Sequence, residues 1–158
     1  MSEQAVTVAT SVKLNVAEEK KKPRLLALLF CDFTSLTKDD KPNLLGVFDR
    51  IYIDRNNPHT PPFAVFVRVA EAIEPFQMTM FGPDDLPAFQ IKSVPSQVEY
   101  TEGLPRQIQT AFVVKFEVKA EGVFWFDVSY QGNSLGGAGL HIQYREVEGG
   151  HSGTESYI

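Results

Sequence analysis

Residues 109–119, QTAFVVKFEVK, carry the pattern that decides the fold. Phe112, Val114, Phe116 and Val118 fall on one parity. Val113, Lys115, Glu117 and Lys119 fall on the other, three of them charged. One apolar and one charged face at a period of two is a half-buried β-strand, because successive strand side chains point to opposite faces. The next run, 122–130 (GVFWFDVSY), repeats the pattern with Phe124, Phe126, Val128 and Tyr130 on the apolar parity. Ala120-Glu121-Gly122 turns the chain between the two runs. Gln131-Gly132-Asn133-Ser134 reads as a tight hairpin in which Gly and Asn supply positive φ.

The same period extends in both directions. Residues 135–147 form a last strand interrupted by Gly136, Gly137 and Gly139. Upstream, Phe63, Val65, Val67 and Val69 alternate, and Phe76, Met78 and Met80 do so after a turn at 71–74, so these runs read as an antiparallel pair. Residues 86–106 hold Pro87, Pro95 and Pro105, which suits an edge strand followed by a long loop. Residues 44–54, LLGVFDRIYID, read as one strand with a bulge near Gly46 or Asp49. In that stretch Leu45, Val47, Ile51 and Ile53 share one parity, and Phe48 and Tyr52 the other. Proline or glycine breaks every window that would otherwise hold a long period of 3.6 residues. The prediction is an all-β chain: a single antiparallel β-sandwich over residues 24–147 with about seven or eight strands, a small β-barrel being the alternative.

Residues 20–31, KKKPRLLALLFC, pose a second question: an export signal ending in a lipid-attachment cysteine, or a buried strand. The apolar run is short and begins after more than twenty residues. Phe30 stands where lipid attachment needs a small residue. A strand over 25–33 is the better reading, preceded by a flexible charged arm over 1–23. The expected location is cytoplasmic, with no membrane partner. Cys31 is the one cysteine, so it is expected to act as a small buried hydrophobe. The run 25–33 is apolar on both faces, so it needs cover on both, from its own domain or from a partner. Residues 148–158 read as a mobile Gly/Ser-rich tail.

A net charge of −5 excludes nucleic-acid backbones as the main partner, since that binding leans on Lys and Arg neutralising phosphates. His59, His141 and His151 lack metal-ligand spacing with each other or with Cys31, and no metal site or cofactor is expected. Ser129 and Ser134 lack the glycine frame of a nucleophile elbow. The glycine-rich run 132–139 lacks the Lys-Ser/Thr ending of a phosphate loop. No catalytic residue is assigned, and the chain is expected not to be an enzyme. Asp49, Arg50, Asp54 and Asn56 are candidates for a ligand or calcium loop, although turn-capping explains Asp54 and Asn56 more simply.

Cys31-Asp32, Gly46-Val47-Phe48-Asp49-Arg50-Ile51, Pro62 to Arg68, and Gly122-Val123-Phe124-Trp125-Phe126-Asp127-Val128 with Gly132 and Leu135-Gly136 together resemble a family of small uncharacterised bacterial domains. The resemblance spans residues 25–144. It implies an immunoglobulin-like β-sandwich and brings no activity. The expected function is therefore a non-enzymatic module that binds another protein or itself, with Leu26, Leu28, Phe30 and Trp125 as interface candidates. A small-ligand or calcium-binding module is the alternative. A tail clipped and conjugated at Gly149-Gly150 is a weaker one.

Overall fold

The computed structural model describes residues 21–39, 41–93, 103 and 106–146. Most of the expected charged arm and all of the Gly/Ser tail lie outside these residues. Nine strands are present: β1 (Arg24–Leu36), β2 (Pro42–Phe48), β3 (Arg50–Asp54), β4 (Phe63–Ala70), β5 (Gln77–Phe81), β6 (Pro87–Lys92), β7 (Gln107–Val114), β8 (Gly122–Tyr130) and β9 (Asn133–Arg145). They form a four-stranded sheet, β2-β1-β4-β7, and a five-stranded sheet, β3-β9-β8-β5-β6. Among the described residues no ladder joins the two sheets, so they form a sandwich rather than a closed barrel. The result is an immunoglobulin-like β-sandwich.

Phe63, Val65, Val67 and Val69 of β4 point into the core, and β5 and β8 supply Met78, Met80, Phe126 and Val128 from the facing sheet. The aromatic rings make the join. Phe30 stands edge-on to Phe126 with centroids 4.9 Å apart, and Phe63 and Phe89 both reach Phe116, at 6.4 and 6.1 Å. The β8–β9 turn is a two-residue hairpin: Gln131 and Gly132 have φ of 49° and 81° between the paired Tyr130 and Asn133. Positive φ at both central residues matches the strand twist. Gln131, not Asn133, takes the second positive value.

Three expectations change. Residues 44–54 are two strands, because the chain leaves the four-stranded sheet at Phe48 and joins the other sheet at Arg50, with Asp49 as the corner. This accounts for the ninth strand. It also makes β3 run parallel to β9, the one parallel pair among the described strands. β4 and β5 are not a hairpin: β4 pairs with β1 and β7, whereas β5 pairs with β6 and β8. Between them the chain crosses the sandwich, braced by the Tyr130 hydroxyl, which accepts N–H bonds from Ile73 and Glu74 at 3.3 Å each. Finally, β7 ends at Val114. Beyond it Phe116 and Val118 still face inward, but the backbone changes partner. The Val118 N–H donates to the Pro58 carbonyl (2.7 Å) and the Thr60 N–H to the Phe116 carbonyl (3.0 Å). Pro61 and Pro62 lack N–H groups and interrupt the ladder there.

Phe126 is wholly buried at the centre of this aromatic join. Phe126→Ala should cost about 3–5 kcal/mol of unfolding free energy by urea titration. A loss under ~1 kcal/mol would mean the two sheets are joined elsewhere.

Candidate protein interface

β1 pairs with β2 on one side and β4 on the other, so one row of its side chains faces away from the core. Registers across the sheet place Val47, Cys31, Ala64 and Val113 in one outward row, and Phe33 beside Leu45 in another. Leu29, Phe66 and Ala111 form a third row, and Ala27, Arg68 and Gln109 a fourth. Val113 is 78% exposed, Phe33 and Val47 56% each, and Leu45 52%. Cys31 is fully buried among them although it faces outward. Burial, and then the neighbouring Asp32 carboxylate, push the Cys31 thiol up from its ordinary value, while a backbone hydrogen bond with Phe33 opposes them. At one end the face closes on Arg68, whose guanidinium lies 5.8 Å from the Phe66 ring and donates to Gln109 Oε1 at 2.7 Å. The outer surface of the four-stranded sheet thus carries apolar side chains on all four strands, bounded by the Arg68–Gln109 pair at one end and the Ser35–Asn43 pair at the other.

The four residues expected at an interface separate. Phe30 is core, 3% exposed. Leu28 packs against the core, and both line a cleft between β1, β2 and β9. Leu26 is exposed, at the register shift in the β1–β4 ladder between Leu25 and Ala27. Trp125 is half-exposed on the outer face of the other sheet, opposite Gly139. Its indole lies across the β9 glycines. A Cβ at Gly137 would stand 2.9 Å from Cε2 and Nε1 and collide with the Phe126 carbonyl, and one at Gly139 would be 3.7 Å from Cε3. The β9 glycines therefore seat the indole.

The ligand-loop candidates do not converge. Asp54 and Asn56 line a cleft of about 660 Å³ together with Arg55, Glu121, Tyr144 and Arg145. The Asp54 carboxylate is engaged in its own turn, where Oδ1 accepts the Asn56 N–H at 2.8 Å and the carbonyl accepts the Asn57 N–H at 3.0 Å. Arg55 is held over the Tyr144 ring at 4.9 Å and pairs with Glu121 at 3.8 Å. Asp49 and Arg50 lie outside this cleft. The Asp49 carbonyl accepts the His141 N–H (2.9 Å) at the corner between sheets. The Arg50 guanidinium, fully exposed, bonds to Tyr52, which raises its pKa further. Among the described residues no group of three His, Cys, Asp or Glu side chains is placed to hold a metal ion.

The residues that sequence reasoning missed are Phe33, Leu45, Val47 and Val113. Leu45 and Val47 shared a parity with Ile51 and Ile53, which are core. The Asp49 corner reverses the sense of that parity, pointing it outward before the corner and inward after it. Val113 stood among charged residues and passed for part of a solvated face.

No family model and no curated protein matches this chain. Among solved structures, the chain is similar to an immunoglobulin-like protein from Pseudomonas aeruginosa, at 11% identity and a TM-score of 0.39. The likeness covers 79% of this chain and 99% of that one.

Three outcomes follow from this geometry. Gly137→Ala should destabilise by roughly 1–3 kcal/mol. It should also shift the emission of Trp125, the chain's one tryptophan. A wild-type spectrum and stability would mean the indole does not rest on the glycines. Native Cys31 should react with Ellman's reagent at least roughly tenfold more slowly than the urea-unfolded chain. Because its folded pKa is raised, this thiol's contribution to stability should fall away as pH climbs from the ordinary thiol value toward the folded one.

Proposed function

We propose that this chain is a non-catalytic protein-binding module that pairs with a second copy of itself through the outer face of the four-stranded sheet. The observation that carries this reading is the apolar surface formed by Phe33, Leu45, Val47 and Val113 around the buried Cys31. Apolar patches that run unbroken across a sheet mark interaction sites more often than chance exposure does. Like-charged copies at a net −5 repel weakly everywhere else, but this face offers its partner almost no charge. Two such faces can stack as sheets do, about 10 Å apart, and a two-fold axis lets one patch serve both copies. The resemblance to uncharacterised bacterial immunoglobulin-like domains agrees with a binding module and supplies no chemistry. The engaged Asp54 carboxylate gives a calcium loop less support than the apolar face gives a protein partner.

Light scattering after size exclusion tests this reading. Wild type should elute as a dimer at micromolar concentrations. Val47→Lys with Val113→Lys should raise the dissociation constant at least tenfold, about 1.4 kcal/mol. Its melting temperature as a monomer should stay unchanged, since both positions are exposed. A wild-type monomer at every concentration would sink the proposal.

A further inference from the structure

β1 is covered unequally. β4 pairs with it from Arg24 to Cys31, but β2 pairs only from Phe30 to Leu36. Among the described residues, the β2 side of residues 24–29 has no ladder. β9 shows the same asymmetry: β8 pairs along residues 133–142, whereas β3 reaches only 141–145, so the β3 side of residues 133–140 is open. The two open edges lie at the same end of the sandwich, where a Cβ on Gly136 would stand 3.6 Å from Leu25 Cδ2. A cleft of about 450 Å³ runs along this seam, lined by Leu28, Leu29, Phe30, Phe48, Ala138 and Gly139. β9 brings Gly136, Ala138 and Gly139 to this seam, and Leu140 and Ile142 fill the core farther along. Unpaired strand edges beside apolar space are templates for another strand.

The chain contains a strand pattern that fits. Residues 6–16 read VTVATSVKLNV. Val6, Val8, Val12, Leu14 and Val16 share one parity, interrupted by Thr10 alone, while Thr7, Ser11, Lys13 and Asn15 lie on the other. Eleven residues exceed the six-residue gap on β1 and the eight-residue gap on β9. We infer that residues 6–16 of one copy add as a strand to the seam between β1 and β9 of a second copy. Main-chain bonds would close the open edge, and the apolar parity would fill the cleft. Pro23 confines Lys22 to extended backbone, and three successive lysines, 20 to 22, repel one another and lengthen the tether. Donor and acceptor are different surfaces, so the assembly runs head to tail, as a ring or an open chain. The inference rests on the protein-binding reading but not on the outer sheet face.

A labelled peptide of residues 4–18 tests the seam, titrated with the full chain carrying Val12→Glu and Leu14→Glu. These two positions lie outside the described residues. Anisotropy should show saturable binding at one peptide per chain, with half-saturation below about 100 µM. The same two substitutions in the peptide should abolish binding, and Leu29→Arg in the protein should weaken it at least tenfold. In sedimentation velocity the wild-type mass should rise with concentration beyond that of the doubly substituted chain. Absence of peptide binding overturns the inference. So does a wild-type chain no larger than the doubly substituted chain at every concentration while the peptide still binds that chain, because the segment then closes its own seam. Val113→Lys must leave peptide binding intact, which separates this inference from failure of the outer-face pairing.

Discussion

The contact between Phe30 and Phe126 joins the two halves of this molecule. Phe30 belongs to the four-stranded sheet and Phe126 to the five-stranded one, and their rings meet edge to face at 4.9 Å. Phe48 stacks on Phe30 at 6.5 Å, Phe63 stands edge-on to both, and Phe89 reaches Phe126 at 6.4 Å. A sandwich of short strands has few long-range covalent constraints, and large interdigitating rings fix how its sheets face each other. Placing Phe30 in the core assigns the opposite parity of β1 to the outside. Cys31, Leu29 and Phe33 are therefore on the outer face as a consequence of where Phe30 points.

That consequence gives the protein its unusual surface. In a sandwich whose outer faces meet water, outward positions are polar. Here β4 is buried on both sides: Ala64 and Phe66 are buried, nearly as fully as the inward Val65 and Val67. Their neighbours in the sheet flank them, and the Arg68 guanidinium lies over the Phe66 ring. The five-stranded sheet is built differently. Its outward positions carry Thr79, Asp127, His141 and Gln143, and Ser134 Oγ donates to Asp127 Oδ1 at 2.6 Å. Tyr52, Val123 and Trp125 are the exposed exceptions, and Trp125 spends one ring face on the glycines of β9. The two outer faces differ in chemistry, and the four-stranded sheet carries the larger share of exposed apolar side chains.

Much of the candidate site was visible in part. The doubly apolar run over 25–33 announced that β1 is apolar on two sides, and its second side is the outer face of the four-stranded sheet. The individual residues were harder to find. Val113 stands near the end of β7, followed on the same parity by Lys115 and Glu117, and one valine beside charges carries no signal until Cys31, Ala64 and Val47 are set in its row. Leu28 and Phe30 were legible as important but not as inward-facing, because a run apolar on both parities does not say which parity is the core.

The sequence by itself determined the strand period, the β8–β9 hairpin, the turn at Asp54 and the class of fold. Each depends on interactions within a few residues: alternation of side chains across a pleat, positive φ at a glycine, a carboxylate bonding two residues on. Only the tertiary structure decided which strands share a sheet. The crossing from β4 to β5, the corner at Asp49 and the parallel β3–β9 pair all depend on which hydrophobic rows meet across the core. Reading residues 44–54 as one strand was locally sound, since nothing within those residues distinguishes a bulge from a change of sheet. The difference lies in the partners: β1 holds Phe48 and β9 holds Ile51, and these two strands belong to opposite layers.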